Sequence, residues 1–212
     1  MKTALNKRVA SPRRVGMTLV EMLIVSSMLA LIMGAMAMVN RAGQDSFTAT
    51  TLSSKMDSRT SDVSDRLLRE LEGVSPTGVM VPLPGLGGTD TMLFQVPWGN
   101  LTQITYQMEA GEVDDGLDND GDGMIDEGMV VLTRDVGGAG QISTVLCSGV
   151  AELLDGEVGN LVDDNGNDMD DESGFCLQTL GNLLIVRLTL LETDQDGKVL
   201  SRTVENSIRM RN

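Results

Sequence analysis

Residues 17 to 39 of this 212-residue chain form an apolar run broken by one charge, Glu21. As a helix, 23 residues at ~1.5 Å each reach about 35 Å, enough to cross a hydrocarbon core of ~30 Å. Everything else in the fold must be arranged around that N-terminal helix. The run is preceded by Lys2, Lys7, Arg8, Arg13 and Arg14 and by no acid. Basic residues on that side place residues 1–16 in the cytoplasm and the remainder outside. Glu21 is out of place in such a segment, because an intramembrane charge costs ~3 kcal/mol or more.

Three readings compete for this segment. A cleavable signal peptide has Ala35-Met36-Ala37 as an A-x-A-like site, but its apolar region is normally ~7–15 residues and carries no acid. A plain anchor leaves Glu21 unexplained as well. The third reading uses every piece: a basic leader, Gly16, then Met17-Thr18-Leu19-Val20-Glu21, then about twenty apolar residues. This arrangement resembles the type IV pilin and type II secretion pseudopilin family. The resemblance implies cleavage by prepilin peptidase between Gly16 and Met17, and N-methylation of Met17. Met17 stands where the family most often has Phe. The resemblance further implies that Glu21, the fifth mature residue, pairs with the terminal amine of a neighbouring subunit during assembly. The amine and the acid lie at i and i+4, one helical turn apart, and a paired acid is tolerable in lipid. Ser26, Ser27, Ala30, Gly34, Ala35 and Ala37 either permit close helix packing or simply fill the helix.

Downstream, apolar side chains at 47, 52, 56, 63, 67, 71 and 74 trace one helical stripe among Ser, Thr, Asp, Arg and Lys. Gly73, Pro76 and Gly78 end it. One long helix over about 18–73 is expected, with Gly34 and Gly43 as points where it can bend. It comprises a transmembrane half (17–39) and an amphipathic stem (40–74). Beyond Pro84-Gly85-Leu86-Gly87-Gly88, runs rich in β-formers cover 92–96, 101–108, 129–134, 141–146, 182–192 and 198–210. Asp194-Gln195-Asp196-Gly197 joins the last two as a hairpin turn. The fold class is therefore α+β, with the helix packed on an antiparallel sheet in a body spanning 75–212. The order of strands also resembles the larger minor pilins and pseudopilins.

Two acidic loops interrupt that body, at 112–128 and 155–174. Residues 118–127 align without gaps on 163–172, an offset of 45. Oxygen ligands at loop positions 1, 3 and 5, a carbonyl at 7 and an acid at 9 can surround one Ca²⁺, and a Gly at 6 permits the bend. In the first loop these are Asp118, Asp120, Asp122, the Met124 carbonyl and Asp126, with Gly123 at the bend. Position 12 is Met129 rather than the bidentate Glu of an EF-hand, and the pattern resembles the short calcium loops of thrombospondin type 3 and related bacterial repeats. In the second loop the ligands are Asp163, Asn165, Asn167, the Met169 carbonyl and Asp171, and Asp168 replaces the glycine. Two neutral ligands imply weaker binding there. The competing reading is a solvated acidic linker. Bound calcium would be structural, fixing the loops.

Cys147 and Cys176 bracket the second loop. In an exported body they could form a disulfide closing about 30 residues, contributing ~3–4 kcal/mol. The alternative is two buried thiols.

Composition narrows the function. The chain has no histidine, which removes Ser-His and Cys-His catalysis and His-type zinc sites. Beyond residue 16 there are 31 acids against 11 bases, a body that repels nucleic-acid phosphates. A non-enzymatic structural subunit is expected: a minor pilin or pseudopilin, seated in inner-membrane lipid until it joins other such subunits. A calcium-binding exported or anchored module is the alternative.

Overall fold

The computed structural model describes residues 16–75, 77–81, 88–95, 99–167, 169–194 and 197–210. The basic leader before Gly16, Pro76, Pro84 to Gly87, Asp168, Gln195 and Asp196 lie outside the described residues. The chain divides into two compact units, Met1–Phe47 and Thr48–Asn212. One helix, α1 (Leu19–Leu71), belongs to both.

In the first unit α1 is exposed along residues 19–47. Over 19–39 its side chains are mostly Leu, Ile, Val, Met and Ala, and the helix is long and apolar enough to cross a membrane. The helical hydrogen-bond ladder continues through Gly34 and Gly43 without a break. The hydroxyls of Ser26 and Ser27 donate to the carbonyls of Leu23 (3.0 Å) and Ile24 (2.9 Å). Back-bonding of this kind satisfies a polar group inside the helix's own turn.

The second unit is α+β. Its strands are β1 (Val79–Val81), β2 (Thr91–Gln95), β3 (Leu101–Met108), β4 (Gly128–Arg134), β5 (Ile142–Val150), β6 (Phe175–Leu180), β7 (Leu183–Thr193) and β8 (Val199–Arg209). All pairings are antiparallel, in the order β1-β2-β3-β4-β5-β7-β6, with β8 also on β7. β8 runs along all of β7, from Leu183↔Arg209 to Thr193↔Val199. The other edge of β7 is shared: β6 pairs with Leu183 to Leu188, and β5 touches it at Val150↔Leu190. Thr89 then bridges to Leu177, returning β6 to the start of β2.

The expected strands appear at 91–95, 101–108, 128–134, 142–150, 183–193 and 199–209, and the helix ends two residues early. β1 and β6 are additions. β6, FCLQTL, directly follows the second acidic loop and is a short mixed run. It becomes a strand because Phe175, Cys176 and Leu177 are buried against β7.

Helix and sheet share one core. Met56, Val63, Leu67 and Leu71 pack with Met92, Phe94, Ile104, Leu132, Phe175 and Leu188 among others, all nearly inaccessible. The buried stripe thus begins at Met56. Phe47, expected on it, is 74% exposed. Polar clamps fix the register. Arg59 reaches Glu192 (2.7 Å) and the carbonyls of Leu191 (3.1 Å) and Ser148 (2.5 Å), and Lys55 pairs with the same Glu192. Asn206 donates to Ser64 (2.7 Å).

Candidate functional site

Gly16 and Met17 precede α1 in non-helical backbone and are exposed. Thr18 caps the helix, and Glu21 stands three residues on. Glu21 Oε2 accepts from the Thr18 backbone N–H (2.9 Å) and hydroxyl (3.0 Å), while the Glu21 N–H donates to Thr18 Oγ1 (3.3 Å). This is a capping box, in which two orphan donors of the first turn are satisfied reciprocally. Glu21 therefore has a partner within its own chain, a role the spacing Thr-x-x-Glu signals in the sequence.

The first acidic loop lies between β3 and β4. Asp118, Asp120 and Asp122 come together as expected, with carboxylate oxygens within 4.8 Å of one another. Asp118 also accepts from the N–H groups of Gly121 (2.6 Å) and Gly123 (3.0 Å), and Asp120 and Asp122 accept from the residue two further on. Asp126 does not join this trio. Its backbone is left-handed (φ 51°), and its carboxylate accepts from the N–H groups of Asp115 (3.1 Å) and Gly116 (2.7 Å). It sits instead with Asp114 and Glu152, again within 4.8 Å.

Two glutamates outside the aspartate run enter the loop. Glu112 Oε1 accepts from the N–H groups of Asn119 (3.0 Å) and Asp120 (2.9 Å). Glu127 immediately precedes β4 and is fully buried. Glu112, Asp120 and Glu127 form a third group with oxygens within 4.8 Å. Among the described residues, both oxygens of Glu127 and Oε2 of Glu112 are buried without a hydrogen-bond partner. Burial, and then the charges of Asp122, Glu112 and Asp120, push the Glu127 carboxyl up to about 7. Glu152 is raised as well, by burial and by Asp114 and Asp126.

Neighbouring strands hold the loop. The Glu109 N–H donates to the Glu127 carbonyl (3.2 Å), and Glu109 Oε2 accepts from the Gly149 N–H (3.2 Å). Gly128 is required beside Glu127, since a Cβ there would lie 2.4 Å from the Tyr106 ring. The phenol is raised above its ordinary value by burial and by Glu152, Glu127 and other nearby acids.

The second loop repeats much of the first loop's bonding at the 45-residue offset. Asn165 N–H donates to Glu157 (3.2 Å), Gly166 N–H to Asp163 (2.5 Å), Asn167 N–H to Asn165 (3.1 Å) and Met169 N–H to Asn167 (2.9 Å). Asp171 accepts from the N–H groups of Asn160 (3.1 Å) and Leu161 (2.5 Å), and its φ is 50°. Even the Asp115–Asn119 side-chain pair recurs with the residues exchanged, as Asn160–Asp164. Among the described residues, Oε2 of Glu157 and both oxygens of Glu172 are buried without partners, as at Glu112 and Glu127. Thr189 ties this loop to β7, accepting from the Asp155 N–H at its hydroxyl (3.2 Å) and from the Ala151 N–H at its carbonyl (3.0 Å).

The four glutamates escape a search for calcium spacing because they lie outside the Asp-x-Asp-x-Asp register. Glu127 and Glu172 close the aligned stretch, and extending it upstream adds the other two, since Gly111-Glu112-Val113 matches Gly156-Glu157-Val158.

The expected disulfide is absent: Cys147 and Cys176 are free, buried thiols. Cys176 faces Arg187 on β7, whereas β5 meets β7 at Leu190 through Val150, with Cys147 three residues further back. That places them about six residues apart along β7, roughly 20 Å at ~3.3 Å per residue, far beyond the ~7 Å Cα limit for a bridge. Each contributes to a different apolar cluster, and burial pushes both up to about 11.

No protein-family model, curated protein or solved structure matches the chain. The architecture is a long N-terminal apolar helix and an antiparallel sheet, compatible with a pilin-like fold. Acidic groups in the body are arranged so that they could hold a metal ion.

Proposed function

We propose that this chain is a structural, non-enzymatic subunit of a membrane-rooted filament of the type IV pilin and type II secretion class, and a minor subunit by its large body. The observation that carries the reading is the junction at residues 16–21. Gly16 and Met17 are exposed and non-helical at the mouth of an apolar, lipid-length helix, and the helix's first turn holds Glu21. A peptidase can reach that bond without unwinding the helix. The new Met17 amine would form beside the first turn that contains Glu21. Prepilin peptidase, inner-membrane lipid and other subunits of the class are the implied partners. The body would lie outside the membrane, stiffened by Ca²⁺ in the acidic loops. Mass spectrometry of the mature N-terminus tests this: N-methyl-Met17 is expected. A start at Met38, or an uncleaved leader in cells that carry the peptidase, rejects it.

The capping box supports a second reading, a membrane-anchored calcium-binding module in which Glu21 only starts the helix. Glu21→Gln separates the two, since Gln also serves in a capping box but cannot pair with an amine as a charge. The filament reading expects normal insertion with assembly lost. Normal assembly would leave the anchor reading.

A further inference from the structure

The orphaned glutamates require an account. Glu127 is fully buried and Glu172 is 5% exposed, and among the described residues neither has a hydrogen-bond partner on either oxygen. A buried carboxylate without a partner is unfavourable unless it meets a cation or keeps a proton. In the first loop Glu127 meets Glu112, which has one orphaned oxygen and whose other oxygen is held by backbone N–H groups; Glu157 has the same pattern in the second loop, one oxygen orphaned and the other accepting from the Asn165 N–H. That bond aims the free oxygen while sparing it. Residues 112–127 contain eight carboxylates and no base, so nothing within the loop neutralises the group. Three oxygens within 4.8 Å of one another match the span around one ion with bonds of ~2.3–2.6 Å.

We infer that each acidic loop holds one calcium-like divalent cation whose deciding ligands are the glutamates with buried, unpartnered oxygens, Glu112 and Glu127 in the first loop and Glu157 and Glu172 in the second. Asp120, or Asn165 in the second loop, supplies a further oxygen. The inference rests on the calcium reading of the loops but changes its ligands: Asp126 and Asp171 are loop staples, their oxygens already engaged by backbone N–H groups. The cation's effect follows from position. Glu127 leads directly into β4, and Glu172 stands three residues before β6, so each ion ties a long excursion to a strand start. Asn165 in place of Asp120 removes one charge, so the second site binds more weakly.

Calcium titration calorimetry on the full-length protein in detergent tests this, together with melts in calcium and in chelator. The wild type should bind two ions. Glu127→Gln should weaken the tighter site about 10-fold or more, and Glu172→Gln should abolish the weaker one. In chelator, Glu127→Gln should melt at or above the wild type, because the amide removes a buried repulsion, so lost binding is not misfolding. Should that variant melt lower, Glu112→Gln is the deciding substitution, with the same expected loss. If the glutamate variants bind as the wild type does while Asp122→Asn does not, the aspartate run holds the ion; the inference fails and the calcium reading survives. No binding by the wild type overturns both.

Discussion

Glu21 stands in an apolar helix and Glu127 in a buried acidic cluster, and their environments treat them differently. Glu21 is fully engaged by Thr18 at the helix start. Replacing it with Ala removes half of a capping box and should cost the isolated helix about 0.5–2 kcal/mol, readable as fraying of the first turn by hydrogen exchange in micelles. Glu127 has no such neighbour, and its place depends on Gly128 beneath the Tyr106 ring. Gly128→Ala should therefore destabilise the body by about 1–3 kcal/mol through overpacking. Thermal melts measure the loss, and calcium affinity should fall with it because the side chain beside the new methyl is displaced.

At the scale of elements, the stem and sheet are joined by one apolar stripe and a few ionic clamps. Leu67 is 2% exposed in the middle of the stripe. Leu67→Ala should cost about 2–5 kcal/mol, by lost transfer energy and the cavity left behind, and chemical denaturation gives the number. The clamp at Glu192 makes stability depend on pH. Burial raises this carboxyl, but Lys55 and Arg59 outweigh it and hold it below its ordinary value. A depressed acid stabilises the fold above its unfolded pKa, and that stability is lost as pH falls through the folded value. Acid melts should lose midpoint from roughly pH 4.5 downward, and Glu192→Gln should flatten that limb while lowering the midpoint at pH 7. An unchanged acid limb in the variant would assign the loss to other carboxylates.

For the whole molecule, the two loops and the sheet make one load path in the body, because the loops end on β4 and β6 and are tied back to β5 and β7. Chelation should raise hydrogen-exchange rates over residues 112–127 and 157–172 first, and lower the body's melting midpoint, since a ligand held only by the native state stabilises it. The apolar part of α1 should keep its protection in detergent, since its hydrogen bonds are internal to the helix. Equal rates with and without calcium would mean that the loops are held by their backbone bonds alone.

Much of this was legible from residue order because it is local. Hydropathy and length define the apolar helix, a period of four and three residues marks the buried stripe from Met56, and alternating β-formers with turn residues mark six of the eight strands. The repeated acidic loops are visible as an exact-length offset, and the capping box as Thr-x-x-Glu. What depended on tertiary structure is where distant segments meet. β6 is a strand only because β7 offers it an edge. The two cysteines look adjacent across a loop but are set about six residues apart on β7, so they stay free thiols. Spacing alone places Asp126 with the aspartate run, whereas the fold seats it with Asp114 and Glu152 and bonds it, like Asp171, to backbone N–H groups. It also buries Glu127 and Glu172, and burial without a partner is a property of packing that no local pattern encodes.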